Sequence, residues 1–150
     1  MKIEEEIKST VTLSRNQKTV INLLFMSNWI NEKSTEFFKQ FDISSQQYNV
    51  LRILRGNKGT PVNLMYIQER MISKMSNTTR LIEKLRLKKF LTREQCPENR
   101  RKIDIQISKE GLKQLAEIDA VMEVYELRIV KNLNAQELDT LNELLDKLRE

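Results

Sequence analysis

Hydrogen-bonding and cationic side chains recur along residues 73–88 at helical spacing. On a helix, which turns by about 100° per residue, they share one face. The members of this face are Ser73, Ser76, Asn77, Arg80 and Lys84. The opposite, mostly apolar face consists of Met75, Thr78, Leu81, Ile82 and Leu85. The pattern predicts a helix over residues 73–88 that begins at a Ser73 cap and buries one side.

The polar face of this predicted helix has the chemistry needed to contact a nucleic acid. An arginine such as Arg80 offers paired donors to guanine, and serine, threonine and asparagine side chains bind base edges or phosphates. Thr79 is therefore counted with the face, and Glu83 is the one anion near it. The N-terminus of a helix also attracts phosphate. An ordinary amphipathic surface helix would show the same pattern, so the helix alone does not decide the function.

Two strand-like segments, residues 91–95 and 102–107, follow the predicted helix. In the second one, three isoleucines alternate with polar residues, which predicts a strand with one buried face. The link between them, residues 96–101, contains turn-forming residues, and we expect its two arginines at the tip of a hairpin. An arginine-bearing loop of this kind suits a narrow minor groove, where negative potential is concentrated. The cationic candidates are Arg93, Arg100, Arg101 and Lys102.

Positive charge is concentrated in the same part of the chain. The 150 residues hold 26 Lys and Arg against 21 Asp and Glu, a formal charge of +5. Residues 74–102 alone hold ten basic against three acidic side chains, or +7, whereas residues 111–150 hold five against nine, or −4. Such a sector predicts binding to a polyanion, because neutralised phosphates release condensed counterions. A solvated basic face that maintains solubility is the alternative interpretation.

The residue types that are missing exclude most enzyme classes. The chain has no His and one Cys, so it cannot form an imidazole-based zinc site, a Ser-His or Cys-His nucleophile pair or an internal disulfide. We therefore expect no enzyme activity, no cofactor and no metal. The single Cys96 fits a reducing cytoplasm, and its redox role stays open. The sequence has no apolar run of about 18 residues, which predicts no membrane-spanning segment.

Capping motifs mark the helices that must position the polar and cationic residues. Ser14 and Ser44 are each followed three residues later by glutamine, which predicts a long first helix and a second one ending near Gly56. After a glycine-containing loop, Asn63 is suited to cap a short helix over residues 64–71. This short helix, a tight turn and the polar helix together form a helix-turn-helix pattern.

Two long amphipathic helices are expected after the strands. Ser108 and Asn134 are their predicted caps. Apolar residues then recur every three or four positions: Leu112, Leu115, Ile118, Met122, Tyr125, Ile129, Leu133, Leu138, Leu141, Leu145 and Leu148. Because the small central region can cover only part of this stripe, we expect a second copy of the chain to cover the rest.

The series of motifs resembles the MarR family of bacterial transcriptional regulators, with motif similarity over residues 43–111. The resemblance rests on Ser73 and on the segments Ile43-Ser44-Ser45-Gln46-Gln47-Tyr48, Leu81-Ile82-Glu83-Lys84-Leu85, Leu91-Thr92-Arg93, Pro97-Glu98-Asn99-Arg100-Arg101 and Ile107-Ser108-Lys109-Glu110-Gly111. Its most specific part is the hairpin motif followed by a Ser-x-x-Gly helix start.

The resemblance implies a mainly α (α+β) fold, with a winged helix-turn-helix DNA-binding domain flanked by N- and C-terminal dimerisation helices. A single domain of residues 1–150 would comprise a helical dimerisation region, residues 1–41 and 112–150, and a winged-helix region, residues 42–111. The implied function is that of a cytoplasmic, sequence-specific transcription regulator, most often a repressor. It would act as a homodimer on a pseudo-palindromic operator in double-stranded DNA.

The resemblance also implies roles for individual residues. Residues 73–88 would form the recognition helix. Arg101 would match the wing arginine that reaches the minor groove, and Arg93 would match the arginine of the first wing strand. Asn99 stands where the family usually has Asp, so the ionic brace of the wing arginines is expected to become a neutral hydrogen bond. Phe90 stands where Gly is common, so we expect a differently shaped turn there.

Two further roles stay open. MarR-like proteins commonly respond to small aromatic molecules or oxidants, and Phe25, Trp29, Phe41 and Tyr48 are candidates to line an effector cleft. Packing in the core or at a dimer interface is the simpler explanation of these aromatic residues. The alternative function for the whole chain is a winged-helix protein-interaction module that binds an acidic partner through the basic sector. No association with a membrane is expected.

Overall fold

The computed structural model describes residues 1–150 and contains seven helices and one two-stranded antiparallel sheet. In chain order the elements are α1 (Ile3–Glu6), α2 (Arg15–Lys39), α3 (Ser45–Gly56), α4 (Leu64–Arg70), α5 (Thr78–Leu87), β1 (Leu91–Cys96), β2 (Asn99–Ile107), α6 (Lys109–Val130) and α7 (Ala135–Lys147). They divide into two compact units, Met1–Asp42 and Ile43–Glu150. The mainly helical α+β fold expected from the sequence is confirmed. None of the helices has the length and apolar content needed to cross a lipid bilayer.

The first unit consists of α1 and α2. The hydroxyl of Ser14 accepts the backbone N–H of Gln17, and the Gln17 side chain accepts the backbone N–H of Ser14, so the predicted capping box begins α2. Lys18 Nζ lies 2.9 Å from Glu4 Oε1, which joins α2 to α1, a short helix that the sequence pattern did not predict. The hydrogen bond from Lys18 lowers the pKa of the Glu4 carboxyl.

The second unit is built around one hydrophobic core. Ser44 and Asn63 cap α3 and α4 as predicted, through hydrogen bonds from the backbone N–H groups of Gln47 and Tyr66. The buried side chains come from α3, α4, α5, both strands and α6, and they include Val50, Leu51, Leu54, Ile67, Met71, Ile82, Leu85, Leu91, Ile105 and Leu115. The helix-turn-helix of α4 and α5 therefore has a fixed orientation relative to the strands.

The hairpin of β1 and β2 is fastened to this core at its base. The backbone N–H groups of Val62 and Ile105 donate to each other's carbonyl oxygens, at 2.9 and 2.8 Å. Ile105 is buried whereas the neighbouring Gln106 is exposed, so the alternation predicted for the second strand is confirmed. The base of the hairpin is thus fixed to the core, and the cationic residues of β2 lie between this base and the turn of the hairpin.

The turn between α5 and β1 contains a left-handed residue at Lys89, whose φ is 63°. The N–H of Lys89 donates to the carbonyl of Arg86, and the N–H of Phe90 donates to the carbonyl of Leu85. This pair of hydrogen bonds is a Schellman cap, in which the residue after the C-cap adopts the left-handed conformation. Within this turn the position that favours glycine is therefore Lys89 and not Phe90, the position that the resemblance to the family indicates.

Gly111 determines how α6 leaves the hairpin. The hydroxyl of Ser108, the predicted cap, accepts the N–H of Gly111 at 3.0 Å and donates to the carbonyl of Lys89 at 2.6 Å. A Cβ at Gly111 would overlap the carbonyl oxygen of Phe90 and lie 2.8 Å from Cγ1 of Ile107. Glycine permits this close approach because it has no Cβ. The Ser-x-x-Gly helix start is thus a packing requirement as well as a cap.

The apolar stripe predicted on α6 and α7 is only partly covered within the chain. Its half-buried members are Met122, Tyr125, Ile129, Leu138 and Leu145, and its exposed members are Leu112, Leu133, Leu141 and Leu148. α6 buries Leu115 and Ile118 in its first half, whereas α7 buries no residue. Four further apolar side chains of the two helices lie outside the predicted stripe and are exposed as well: Val121, Val124, Leu127 and Leu144. An amphipathic helix is stabilised mainly by burial of its apolar face, and α7 buries none of its residues completely within the chain.

Candidate nucleic-acid interface

The polar helix predicted after α4 begins only at Thr78. Its N-cap is Asn77, whose Oδ1 accepts the N–H of Arg80 at 3.1 Å. Ser73 instead closes a turn, since its carbonyl accepts the N–H of Ser76 at 3.2 Å. The predicted Ser73 cap was therefore wrong. Asparagine is as good a cap as serine, and a start at Asn77 allows Thr78 to be buried.

α5 presents a polar and mostly cationic face to solvent. Arg80 and Lys84 are four residues apart and so lie on the same side of the helix, where both are exposed. Neither has an acidic partner within the chain. Thr79 is exposed on the neighbouring side. The buried side of the helix is formed by Thr78, Ile82 and Leu85.

One carboxylate joins α5 to the hairpin. Arg86 donates two hydrogen bonds to Glu83, at 3.0 and 2.7 Å, and Nη1 of Arg93 on β1 lies 3.9 Å from Oε2 of Glu83. The hydrogen bonds between Arg86 and Glu83 lower the pKa of the Glu83 carboxyl and raise the pKa of Arg86. Arg93 is therefore turned toward α5. This bridging role of Glu83 was not predicted, because it depends on how the hairpin folds back on the helix.

The cationic residues of β2 stand where the strand pairing is interrupted. Gln95 pairs with Ile103, but the next residue of β1, Cys96, pairs with Asn99. The residues between Asn99 and Ile103 have no cross-strand partner in this register, and they are Arg100, Arg101 and Lys102. An irregularity of this kind bends the strand and changes the direction in which its side chains point. All three of these side chains are exposed.

The tip of the hairpin is formed by Pro97 and Glu98 rather than by arginines. Arg100 and Arg101 were expected at the tip and belong instead to β2. Proline suits the turn because its φ is fixed and it has no N–H to give to a strand ladder. Asn99 Oδ1 accepts the backbone N–H of Arg101 at 3.0 Å. The neutral hydrogen bond expected of Asn99 thus reaches the main chain of Arg101 and not its guanidinium group.

Arg101 and Lys102 border an open groove between β2 and α4. The other lining residues are Asn63, Leu64, Met65, Gln68, Asn99 and Ile103. Lys102 Nζ lies 3.9 Å from Oδ1 of Asp104, whereas Arg101 has no acidic partner. An open groove with amide and guanidinium groups on its rim can hold an extended phosphodiester backbone, which is bound mainly by such donors.

The predicted contact residues lie on α5, on the turn before it and on the hairpin, all within the second unit. Those that are exposed are Ser73, Asn77, Thr79, Arg80, Lys84, Arg93, Arg100, Arg101 and Lys102. Ser76 differs, because its hydroxyl oxygen is buried without a hydrogen-bond partner. Met75, which the pattern placed on the buried side of the helix, is 95% exposed. The later start of α5 moves Met75 into the preceding turn and explains the difference.

The aromatic residues considered for an effector cleft are half-buried. Phe25 and Trp29 lie four residues apart and share a side of α2. The ring of Phe41 contacts that of Phe37, with 5.6 Å between their centroids. Tyr48 belongs to the second unit, and its burial raises the pKa of its hydroxyl. Effector binding by these residues stays a prediction.

The structure has no group of Cys, Asp and Glu side chains that could hold a metal ion. Cys96 is a free, half-buried thiol at the end of β1. The chemistry concentrated on the surface of the second unit is therefore that of guanidinium, ammonium, amide and hydroxyl groups. These are the groups with which proteins bind polyanions.

Comparisons with known proteins agree with this geometry. The model of the MarR family matches residues 43–103. Over 149 residues the chain is 30% identical to YkoM of Bacillus subtilis (strain 168), an uncharacterized HTH-type transcriptional regulator, and the match covers 96% of this chain and 88% of that protein.

Solved structures share the fold. A mutant MarR of E. coli in complex with operator DNA matches with a TM-score of 0.73 at 22% identity, over 85% of this chain and 91% of that chain. BpsR of Bordetella bronchiseptica, whose DNA binding is regulated by 6-hydroxynicotinic acid, matches with a TM-score of 0.80 at 18% identity, over 93% and 99% of the two chains. The whole-length similarity to YkoM, the family match and the shared winged helix-turn-helix fold show that this chain belongs to the MarR family of DNA-binding transcription regulators, whose members are not enzymes.

Proposed function

We propose that the protein acts as a homodimer on a pseudo-palindromic operator, with α5 in the major groove and the hairpin at the adjacent minor groove. The proposal rests on the positions of the cationic side chains that have no acidic partner within the chain. Arg80 and Lys84 are exposed on α5, Arg100 and Arg101 are exposed at the pairing irregularity of β2, and the contact between Glu83 and Arg93 joins the two elements. The two neighbouring elements therefore offer donors for base edges and for phosphates.

The proposed homodimer accounts for the uncovered apolar helices. α7 buries none of its residues within the chain, and Leu144 in its second half is 60% exposed. A second copy of the chain would cover the apolar stripes of α6 and α7 by symmetry, as in obligate homodimers that bury on the order of 2,000 Å² or more. Two recognition helices related by a twofold axis would then enter major grooves about 34 Å apart, one turn of B-DNA.

We propose that binding represses transcription, because a dimer that occupies an operator within a promoter excludes the polymerase. A small aromatic effector would release the protein by binding preferentially to a conformation whose helices are wrongly spaced for DNA. Phe25 and Trp29, half-buried on one side of α2, are the proposed contacts for its ring. Trp29 is the only tryptophan of the chain, so its fluorescence reports on this region alone.

The test of the proposed function is selection of bound fragments from the host genome, followed by titration of the enriched duplex and of a shuffled duplex at two salt concentrations. We expect an enriched sequence with twofold symmetry and saturable binding that exceeds binding to the shuffled duplex. Equal binding to both duplexes and to an acidic polypeptide would favour the acidic-partner alternative. Release of the enriched duplex by an aromatic acid, with a matching change in Trp29 fluorescence, would support the effector proposal.

A further inference from the structure

An exposed methionine stands beside the proposed base-reading residues. Met75 lies two residues before Asn77, the N-cap of α5, and is 95% exposed, and Ile72 in the same turn is 81% exposed. Isolated exposed apolar side chains are common on protein surfaces and usually need no explanation. Here, however, the apolar side chain is placed at the end of α5 that would enter the major groove first.

The turn that carries Met75 is held at both ends. Before it, the N–H of Ile72 donates to Oδ1 of the buried Asn49, at 2.9 Å. After it, Thr78 is buried at the start of α5. Within the turn, the ammonium group of Lys74 donates to a carbonyl of α4, which directs this charge back toward the protein. Met75 is therefore kept in solvent by a preorganised backbone, and its exposure is not the result of a frayed helix end.

The major groove of DNA presents one kind of apolar group, the C5-methyl of thymine. Arg80 and Lys84 on the following turns of α5 are suited to contact guanine and phosphate, whereas Met75 can bind neither. We propose that Met75 contacts the C5-methyl group of a thymine and adds a preference for T·A pairs to the sequence that α5 reads. The inference rests on the proposed role of α5 in DNA reading. A flexible, polarisable thioether is well suited to follow such a methyl group.

The small size of the patch favours a methyl group over a protein partner. A standard protein–protein interface needs about 800 Å² on each side. Met75 and Ile72 supply only two apolar side chains, and the other exposed residues of the turn, Ser73, Lys74 and Asn77, are polar or cationic. A single thymine methyl group matches the apolar side chain of Met75, and the anionic duplex around that methyl matches the cationic residues of α5.

The experiment uses the duplex that the wild-type protein selects from a random-sequence pool. Each thymine is replaced in turn by deoxyuridine, which differs only by the missing methyl, and affinities are measured for the wild type, for Met75→Ala and for Leu87→Ala. Leu87 is the matched control, an exposed apolar residue at the other end of α5. Met75 touches no core residue at 95% exposure, so its substitution leaves the fold intact.

We expect one symmetric pair of thymines at which uracil weakens binding by the wild type. The factor is about 4 for each buried methyl group and about 15 for both half-sites. Met75→Ala should lose this discrimination and Leu87→Ala should keep it. A uracil effect of equal size in all three proteins, or no uracil effect in any, would overturn the inference while leaving DNA reading by α5 intact. Failure to enrich any sequence from the pool would instead overturn the proposed function, and the inference with it.

Discussion

Replacing Arg101 with alanine should weaken DNA binding at every sequence and make binding less dependent on salt. Arg101 is exposed, has no acidic partner and stands at the interrupted pairing of β2. Nothing within the chain competes for its guanidinium group. Its contribution is therefore expected to be electrostatic and independent of the base sequence, whereas Arg80→Ala should relax the base preference.

The size of the effect follows from the number of unpaired cations. Four cations of the interface have no acidic partner in the chain, and they are Arg80, Lys84, Arg100 and Arg101. A homodimer would present about eight, so log K against log salt should have a slope of about −7, at roughly 0.9 per neutralised phosphate. Arg101→Ala removes one cation from each protomer and reduces the slope to about −5. Between about 50 and 200 mM salt, the wild type should lose about ten times more affinity than the variant.

The measurement is an anisotropy titration of the labelled selected duplex at four or more salt concentrations. Arg128→Ala is the matched control, since Arg128 is also exposed but lies near the other end of α6. At 1.5 Å per residue, it is about 30 Å along α6 from the hairpin. An unchanged slope for Arg101→Ala, or an equal change for both variants, would refute the assignment of Arg101 to the interface.

Three further predictions concern stability and assembly. Gly111→Ala should lower the free energy of unfolding by about 2 kcal/mol or more, because the new Cβ would overlap a backbone carbonyl. Gly56→Ala is the control, since a Cβ there would have no atom within 4 Å and should not lower the free energy of unfolding. Denaturant unfolding measures both variants. Lys89→Gly should raise the free energy of unfolding by about 1 kcal/mol, because glycine adopts the left-handed backbone conformation of this position without the strain caused by a side chain. Lys88→Gly should lower the free energy of unfolding in the same assay, because Lys88 has a right-handed backbone conformation. Leu144→Glu should give a monomer in light scattering at micromolar concentration, because it places a charge on the uncovered face of α7; a variant that stays dimeric would contradict the proposed interface.

Helix starts were predictable wherever one capping residue stood alone before an apolar repeat. Ser14, Ser44, Asn63, Ser108 and Asn134 each accept a backbone N–H of their own helix, as the sequence pattern indicated. These contacts are local, within three residues of each cap, and need no knowledge of the rest of the fold. The order of the helices and the hairpin followed from them.

The start of α5 was not predictable in this way, because Ser73 and Asn77 are both good caps. The choice between them depends on contacts distant in sequence. The hydrogen bond from Ile72 to Asn49 of α3 fixes the turn, and burial of Thr78 fixes the first residue of the helix. A pattern that considers only residues 73–88 contains neither contact, so it placed Met75 on the wrong side.

The details of the hairpin were also beyond local sequence reasoning. The alternating isoleucines indicated the buried face of β2 but not the register between the strands. The irregularity after Gln95 pairs Cys96 with Asn99 and leaves the three cationic residues of β2 without cross-strand partners. Strand register depends on how both strands pack on the core, here through the contact of Ile105 with Val62. The sequence thus indicated which residues are proposed to contact DNA, from their side-chain types, whereas their arrangement on the surface is known only from the structure.

The cations of α5 and β2 are proposed to lie on one surface in each protomer, so that the homodimer presents two such surfaces to one duplex. Dimethyl sulfate footprinting of the wild type on its selected duplex distinguishes the two grooves, because the reagent methylates N7 of guanine in the major groove and N3 of adenine in the minor groove. We expect two protected segments about 10 base pairs apart, each with a major-groove and a neighbouring minor-groove part. In Arg101→Ala the minor-groove part should fade while the major-groove part persists. A single unbroken footprint, or protection that both Arg80→Ala and Arg101→Ala leave unchanged, would contradict this proposal.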